Sequence, residues 1–176
     1  LAARRDGGRR PVLDGVGVKT PNPLAIQHMG SREVGMLLND MIAESLTFDK
    51  TNFRKVITDA RKNFTPEGYA QYSQFITNSG FEAALSSGDL HAGTYVDGEP
   101  VELGKGVYSD VFKWVFEVPV TLSLIPRNAE TYRDDATKAQ NRNFILRAQM
   151  ARVNDPQDPN AVKIELWQVL PPRPKK

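Results

Sequence analysis

The stretch FDKTNFRKVITDARKNFTPEGY, residues 48–69, decides how the first half of the chain folds. Its mixture of aromatic and charged residues around a Pro-Glu-Gly turn is found both in active-site loops and in joints between helices. Thr65 is a good N-cap, Pro66 suits the first helical position and an acid follows, so a helix is predicted to start there. The rings of Phe64 and Tyr69 flank this corner and are expected to pack across it. We therefore interpret the stretch as a helix–corner–helix joint.

Apolar residues at helical spacing predict four amphipathic helices between residues 31 and 88. Ser31 is the expected N-cap of the first helix, and Asp49 and Thr51 are cap-type residues ahead of the second. Gly88 is expected to end the fourth helix. The positions predicted to face a core are Val34, Leu37, Leu38, Met41, Ile42, Leu46, Phe53, Val56, Ile57, Ala60, Phe64, Tyr69, Tyr72, Ile76, Phe81, Ala84 and Leu85.

The apolar pattern changes to a period of two after residue 88, which predicts strands. The Asp97-Gly98 pair between LHAGTYV and EPVEL predicts a β-hairpin. Pro119 cannot donate to a sheet ladder, so a bulge or an edge position is expected there. The strand positions predicted to face a core are Phe112, Trp114, Phe116, Val118, Val120, Leu122, Leu124, Phe144, Leu146, Ala148, Met150, Val162, Ile164, Leu166 and Leu170. Trp167 falls on the opposite face of the last strand. There it is either an exposed aromatic that contacts a partner or a core residue packed against the helices.

Helices followed by one-sided strands predict an α+β domain, in which the N-terminal helices pack on a strongly curved antiparallel sheet. We assign residues 31–170 to this domain. Residues 1–30 are rich in Gly, Pro and Arg without a regular period, and are interpreted as a flexible arm or a membrane-proximal linker that a partner can order. Residues 171–176 form a basic, Pro-rich tail.

The charge of the chain lies mainly at its two ends. The ten N-terminal and six C-terminal residues hold seven of the 23 basic residues and one of the 21 acids, so the body between them carries a net charge of −4. Nucleic-acid readers usually concentrate basic charge on the folded surface, so no nucleic-acid partner is expected for the folded body. A DNA-contacting factor that uses the basic tails is a weaker alternative. The chain has no cysteine, which excludes disulfides and thiolate chemistry.

No membrane span or secretory signal is predicted. The most apolar run, residues 111–125, is interrupted by Lys113, Glu117 and Pro119. Because the chain begins with Leu1 rather than methionine, we expect a processed form or a fragment. The domain is expected to be soluble, with any membrane anchor upstream.

No catalytic, cofactor-binding or metal-binding residue is predicted from the sequence. His28 lies in the arm, away from rigid support. His91 lies near Asp89, and such a pair can transfer protons inside a pocket, although a solvated pair is the more common arrangement. The remaining candidates are isolated from other reactive groups. They are the loop acids Asp134 and Asp135, the acids of DPQDP at residues 155–159, the GKG turn or bulge at residues 104–106 and the glycosylation-like Asn63.

The joint also resembles the signature of the DotI/IcmL/TraM family, which comprises inner-membrane subunits of type IVB secretion and conjugation systems. In that family an aromatic-Asp pair, an Asn-aromatic-Arg triplet and a Phe-Thr-Pro-x-Gly-aromatic run occur in this order. The matching residues are Phe48, Asp49, Asn52, Phe53, Arg54, Phe64, Thr65, Pro66, Gly68 and Tyr69. The run NFILRAQMARV, residues 143–153, resembles the family's late strand, and the similarity extends over residues 22–170. A polar insertion at residues 130–141 departs from the family pattern.

The resemblance implies the periplasmic domain of a bacterial inner-membrane protein whose membrane helix lies upstream of this chain. It also implies the nuclear-transport-factor-two-like fold shared with the VirB-type scaffold subunit. The implied role is non-catalytic assembly without a cofactor. The implied partners are further copies of the chain and other inner-membrane and periplasmic secretion subunits, on surfaces that the sequence does not identify.

The alternative is a small-molecule isomerase or dehydratase that uses the cone-shaped pocket of the same fold, with His91 as acid or base. An enzyme of this kind needs a cavity lined by converging polar groups. A scaffold is instead expected to fill the cone with Phe112, Trp114, Phe116 and similar side chains. The inside of the sheet therefore discriminates between the two hypotheses.

Overall fold

The computed structural model describes residues 23–126 and 140–174. Within them, helices come first and long strands follow, as the change of period predicts. The helices are α1 (Ser31–Ser45), α2 (Phe53–Asp59), a 3-10 helix (Ala60–Asn63), α3 (Pro66–Ser79) and α4 (Phe81–Gly88). The strands are β1 (Phe48–Asp49), β2 (Leu90–Val96), β3 (Val101–Tyr108), β4 (Val111–Pro126), β5 (Gln140–Arg152) and β6 (Val162–Leu170). Asp134, Asp135 and most of the predicted insertion at 130–141 lie outside the described residues.

The strands form one antiparallel, strongly curved sheet in the order β1-β2-β4-β5-β6. β3 also pairs with β4, on the edge that β2 occupies. Val96 of β2 lies opposite Val120, and Val101 of β3 lies opposite Glu117, so β2 and β3 follow each other along the long strand β4. The α+β architecture with helices packed on a curved sheet is confirmed.

The predicted hairpin at Asp97-Gly98 is wrong. β2 and β3 both pair with β4 instead of with each other, and the residues between them only step along that strand. The tight hairpin lies one strand later, where Tyr108 pairs with Val111. Its two turn residues, Ser109 and Asp110, have φ angles of 52° and 63°. Positive φ at both central residues is what a two-residue hairpin with the sheet's twist requires.

Pro119 lies opposite the break between β2 and β3. Its carbonyl oxygen accepts a hydrogen bond from the Asp97 amide at 3.0 Å. In an antiparallel sheet the N–H and C=O of one residue point to the same side, so the missing N–H of Pro119 also faces this break. The prediction of an edge-like position is therefore confirmed.

Two details at the helix ends differ from the prediction. Gly30, not Ser31, occupies the N-cap position of α1, and it provides no side-chain cap. The second helix ends at Asp59 and tightens into the 3-10 helix, so that Phe64 is already extended, with φ −125° and ψ 151°. α4 ends at Gly88 as predicted, although the left-handed C-cap residue is Asp89.

Apolar side chains from the helices fill the concave face of the sheet. α1 contacts β2 and β4, and its stripe of Val34, Leu38 and Ile42 is fully buried. Trp114 of β4 is also fully buried, and the rings of His28 and Phe112 lie beside it at centroid distances of 6.2 and 4.9 Å. The predicted core positions that are buried on the two long strands are Trp114, Phe116, Val118, Val120, Leu122, Leu124, Phe144, Leu146, Ala148 and Met150. Phe112 is only partly buried, whereas Ile145, Ala151, Glu117 and Arg152 are buried without having been predicted.

Trp167 is buried, so the partner-contact interpretation of this residue is wrong and core packing is correct. β6 contains a bulge: Gln149 lies opposite Leu166, but the next residue, Met150, lies opposite Ile164. The extra residue, Glu165, reverses the alternation, and this turns Trp167 to the face of Ile164. Leu166, predicted to face the core, is only partly buried for the same reason.

The packed domain begins before residue 31. Arg152 at the end of β5 is 2% exposed and donates hydrogen bonds to the carbonyl oxygens of Pro23 and Ile26, both at 2.7 Å, and of Pro159 at 3.1 Å. The Phe112 amide donates to the Leu24 carbonyl at 2.7 Å. Residues 23–30 therefore lie on the strand ends. The assignment of residues 1–30 to a flexible arm or membrane-proximal linker stays a prediction, and residues 1–22 of it lie outside the described residues.

Candidate functional site

The first half of the joint is a compact turn between β1 and α2. The Asp49 carboxylate accepts hydrogen bonds from the amides of Thr51 and Asn52, at 2.8 and 3.0 Å, and the Asn52 side chain accepts from the Asp49 amide at 2.7 Å. Asp49 therefore holds the turn that precedes α2 instead of capping the helix. Phe48 and Phe53 are both buried and meet edge to face, with ring centroids 5.0 Å apart.

The second half of the joint docks on β6. The Thr65 amide donates to the Ile164 carbonyl at 3.0 Å, and Phe64 forms a parallel bridge with Ile164. The Thr65 hydroxyl accepts from the Gly68 amide at 3.2 Å, which confirms it as the N-cap of α3. Gly68 lies against the same strand, because a Cβ built there meets the Ile164 oxygen at 2.1 Å. The corner thus requires glycine for close approach.

Aromatic rings fix the corner from the inside. Phe64 stacks on Tyr72 with centroids 4.8 Å apart and contacts Tyr69 at 6.1 Å, so the expected packing across the corner is present. Trp167 closes the cluster at 5.6 Å from Phe64. The Tyr72 hydroxyl donates to the Ser45 carbonyl at 2.6 Å, and burial raises the pKa of this phenol well above its ordinary range. Tyr72 therefore remains a protonated donor that ties α3 to the end of α1.

Arg54 differs from the buried members of the joint. Its side chain is 87% exposed and forms an ion pair with Glu82 of α4 at 2.9 Å. Both residues line an open groove of about 790 Å³ between α2, α3 and α4, with Phe53, Ile57 and Ile76 among its apolar residues. The groove contains no histidine, so it offers no neutral-pH acid or base of that kind.

The two histidines are not brought together. His91 of β2 lies opposite Ile125, and its neighbour Asp89 instead pairs with Lys50 at 2.9 Å. His91 lines none of the four cavities described for this domain. His28 contacts the Asn160 carbonyl through Nε2 at 2.9 Å. The cross-strand neighbour of His91 is Asp49 of β1, whose carboxylate holds the Thr51 and Asn52 amides of the turn before α2.

The other residues singled out in the sequence, at positions 104–106 and 63, have structural rather than chemical roles. Residues 104–106 lie within β3, directly after a bulge at Leu103. The Asn63 amide is buried and donates to Glu44 at 2.9 Å. No group of three or more metal-ligating side chains occurs in residues 23–126 and 140–174.

Sequence reasoning missed two charged residues that organise the sheet. Arg152 continues the alternation of Ala148 and Met150 by one more step, and this spacing is the signal that could have placed it inside. Glu117 is 7% exposed on the other face, where Arg147 donates to it at 2.7 Å and Arg173 of the tail also contacts it. Arg147 is the cross-strand neighbour of Glu117, a pairing that only the register reveals.

Comparisons with known protein families and solved structures identify relatives of this chain that share its fold. The family model described as "Type-IV b secretion system, inner-membrane complex component" (DotI/IcmL) matches residues 18–170. No curated protein matches the sequence significantly.

Three solved structures share the fold. The periplasmic domain of DotI superposes with a TM-score of 0.69 at 21% identity, over 84% of this chain and 100% of that one. A periplasmic fragment of TraM gives 0.68 at 19% identity, over 82% and 100%. CagV, a VirB8 homologue from Helicobacter pylori strain 26695, gives 0.57 at 8% identity, over 80% and 98%. The predicted nuclear-transport-factor-two-like fold is thereby confirmed. With the family model matching most of its length, the chain belongs to the DotI/IcmL family of inner-membrane components of type IVB secretion systems.

Proposed function

We propose that this domain is a non-catalytic assembly subunit of a type IVB secretion or conjugative DNA-transfer apparatus. It acts through protein–protein contacts at the periplasmic face of the inner membrane. Its family makes the chain a component of such a system. The finer role is inferred from the interior of the sheet.

The observation that carries the proposal is the filled concave face. Trp114 and Leu146 are fully buried there and Phe116 is 2% exposed, under a helix that buries its own apolar stripe. An enzyme of this fold needs the same volume for its substrate, with polar groups converging on the reacting atoms. The cone is occupied by these side chains, and His91 faces away from it, because its neighbours Leu90 and Ala92 are the buried residues of β2.

The location is inferred from the relatives. Two of the similar structures are described as periplasmic, and the family is described as an inner-membrane component. No helix within the described residues is long and apolar enough to cross a bilayer. Because the family is described as an inner-membrane component, we place the membrane anchor upstream of the packed domain. The packing of residues 23–30 on the strand ends would then fix the direction in which the chain leaves the domain.

The charges on the convex face of the sheet favour a protein partner over a nucleic acid. Arg147 and Arg173 share the carboxylate of Glu117, and Lys113 pairs with Glu165 at 2.8 Å. Two carboxylates thus offset three basic side chains, so a net charge of only +1 remains on these five residues for binding phosphates.

The test is a transfer assay in a strain with the gene deleted in frame. It is complemented with wild type or with His91→Ala at matched expression. Loss of transfer on deletion and full rescue by both forms are the expected results. Normal transfer without the gene would refute the secretion role. Rescue by wild type alone, with the variant still folded, would favour the isomerase or dehydratase alternative.

A further inference from the structure

The outer edge of β3 is unpaired within the described residues. β4 is the only strand that pairs with β3 there, so its other side presents free N–H and C=O groups. The strand also exposes large apolar side chains: Val101 is 52% exposed and Tyr108 is 71% exposed. Gly104 and Gly106 add open positions, with no atom within 4 Å of a Cβ built on either.

We propose that this edge pairs with the same edge of a second copy of the chain, as two antiparallel β3 strands related by a two-fold axis. The inference deepens the proposed function, on which it rests for the expectation that the subunit self-associates. The sheets of the two copies would become continuous across the axis. This is strand addition, in which backbone hydrogen bonds give affinity and side-chain pairs give specificity.

Charge complementarity selects the second copy and the register. When Leu103 lies opposite Gly104 of the partner, antiparallel pairing places Glu102 opposite Lys105, and the two-fold axis repeats this pair. Both residues lie on the concave face of the sheet, because Glu102 is the register partner of Phe116 and Lys105 that of Trp114. The bulge at Leu103 is what brings these two charges to one face.

The same register also fills a gap on the convex face. It places Val101 opposite Gly106, and these residues pair with Glu117 and Lys113 of β4, which lie on the convex side. A β-branched side chain across from an edge glycine covers surface that the glycine leaves open. Each two-fold repeat therefore contributes one ion pair and one apolar contact.

Lys105 also disfavours pairing of the β3 edge with strands of unrelated proteins. Within its own chain Lys105 donates to the Ser31 hydroxyl at 3.3 Å, a neutral acceptor that leaves its charge uncompensated. An edge lysine normally discourages pairing, because a neutral strand offers this charge no carboxylate. In the register proposed here the partner supplies Glu102, while pairing that aligned Lys105 with Lys105 would repel. The edge is thus selective for its own sequence.

Sedimentation of the 176-residue chain over a range of concentrations tests the proposal, with charge reversals as probes. Wild type is expected to form a concentration-dependent dimer. Lys105→Glu and Glu102→Lys should each raise the dissociation constant of the dimer about tenfold or more, since each turns two attractive cross-strand pairs into repulsive ones. The double variant Glu102→Lys/Lys105→Glu should recover the wild-type constant. Lys55→Glu on α2 is the matched control and should have no effect.

A cross-linking experiment tests the register, because the chain has no cysteine of its own. Glu102→Cys and Lys105→Cys proteins, one of them tagged, are mixed under oxidising conditions. A disulfide-linked dimer that contains one copy of each variant is expected, with much less product from either variant alone. Equal yields in all three samples would overturn the register.

Two results would overturn the proposal that two copies pair through their β3 edges. One is a wild-type chain that stays monomeric at all concentrations, and the other is a dimer whose constant neither single reversal changes. A monomeric chain whose deletion still abolishes transfer would refute the edge and leave the assembly role intact. A chain that dimerises as expected but is dispensable for transfer would refute the assembly role alone.

Discussion

Gly68 of α3 and Ile164 of β6 approach so closely that a Cβ on Gly68 would lie 2.1 Å from the Ile164 carbonyl oxygen. That oxygen also accepts the Thr65 amide, so the corner and the strand are bonded at the point of closest approach. A side chain cannot be accommodated by a rotamer change, because the obstacle is backbone. The contact explains why residue 68 of this chain is glycine.

Gly68→Ala should therefore destabilise the domain strongly. Small-to-large changes in packed sites cost about 1–3 kcal/mol, and a backbone obstacle places this one at the upper end. Thermal unfolding followed by circular dichroism should show a Tm lower by about 6 °C or more, at roughly 2–4 °C per kcal/mol for a chain of this size. Gly93→Ala is the control, since a Cβ at Gly93 meets no atom within 4 Å. Equal Tm values for the two variants would refute the close-approach explanation.

Thr65 allows a milder test of the same corner. Thr65→Ala removes the acceptor of the Gly68 amide and should cost about 1 kcal/mol, the usual loss for an N-cap. Thr65→Ser keeps the hydroxyl and should retain most of the stability. Urea denaturation midpoints compare the three proteins. If serine were as destabilising as alanine, the cap would not be the reason for threonine at this position.

Local signals in the sequence predict the helices and the long strands well. The three start signals around Thr65 and the alternation through Trp114 and Leu146 depend only on nearby residues, and both predictions are confirmed. The curved sheet follows from the order of helices and one-sided strands.

The errors arise where pairing across the sheet overrides a local pattern. Asp97-Gly98 has the composition of a hairpin turn, but β4 is long enough to pair with both β2 and β3, so the chain continues along it. Trp167 is displaced to the core by one bulged residue, Glu165, which no local pattern marks. The burial of Arg152 is not predicted by the sequence pattern, because arginine is rarely buried.

Arg152 should control whether the segment before α1 stays on the domain. Arg152→Leu removes the three charge-assisted hydrogen bonds that tie the carbonyls of Pro23, Ile26 and Pro159 to the end of β5. Amide hydrogen exchange of residues 26–29 should accelerate at least about tenfold, with smaller changes in β4. Arg142→Gln, an exposed position on the same strand, is the control and should leave these amides unchanged. Uniformly faster amide exchange across the whole domain would indicate global destabilisation. It would contradict the prediction that Arg152 holds only the segment before α1.

Glu117 should give the domain an acid-sensitive component of stability. Hydrogen bonding by Arg147 is the main cause that lowers the pKa of this carboxyl from its ordinary value of 4.5, and the charges of Arg147 and Arg173 act in the same direction. Because the pKa is lower in the folded protein, the stabilisation is complete above the ordinary pKa. It is lost as the pH falls through the lowered value.

The measurement compares wild type with Glu117→Gln in urea at a series of pH values. The variant should be less stable than wild type at pH 7, and the difference should shrink as the pH falls below about 4.5, where the unfolded carboxyl also takes up its proton. Glu67→Gln, an exposed acid in the first turn of α3, is the matched control and should show a much smaller change. A difference between wild type and Glu117→Gln that stays constant from pH 7 to pH 2 would mean that packing of the side chain, rather than its charge, holds β4, β5 and the tail together.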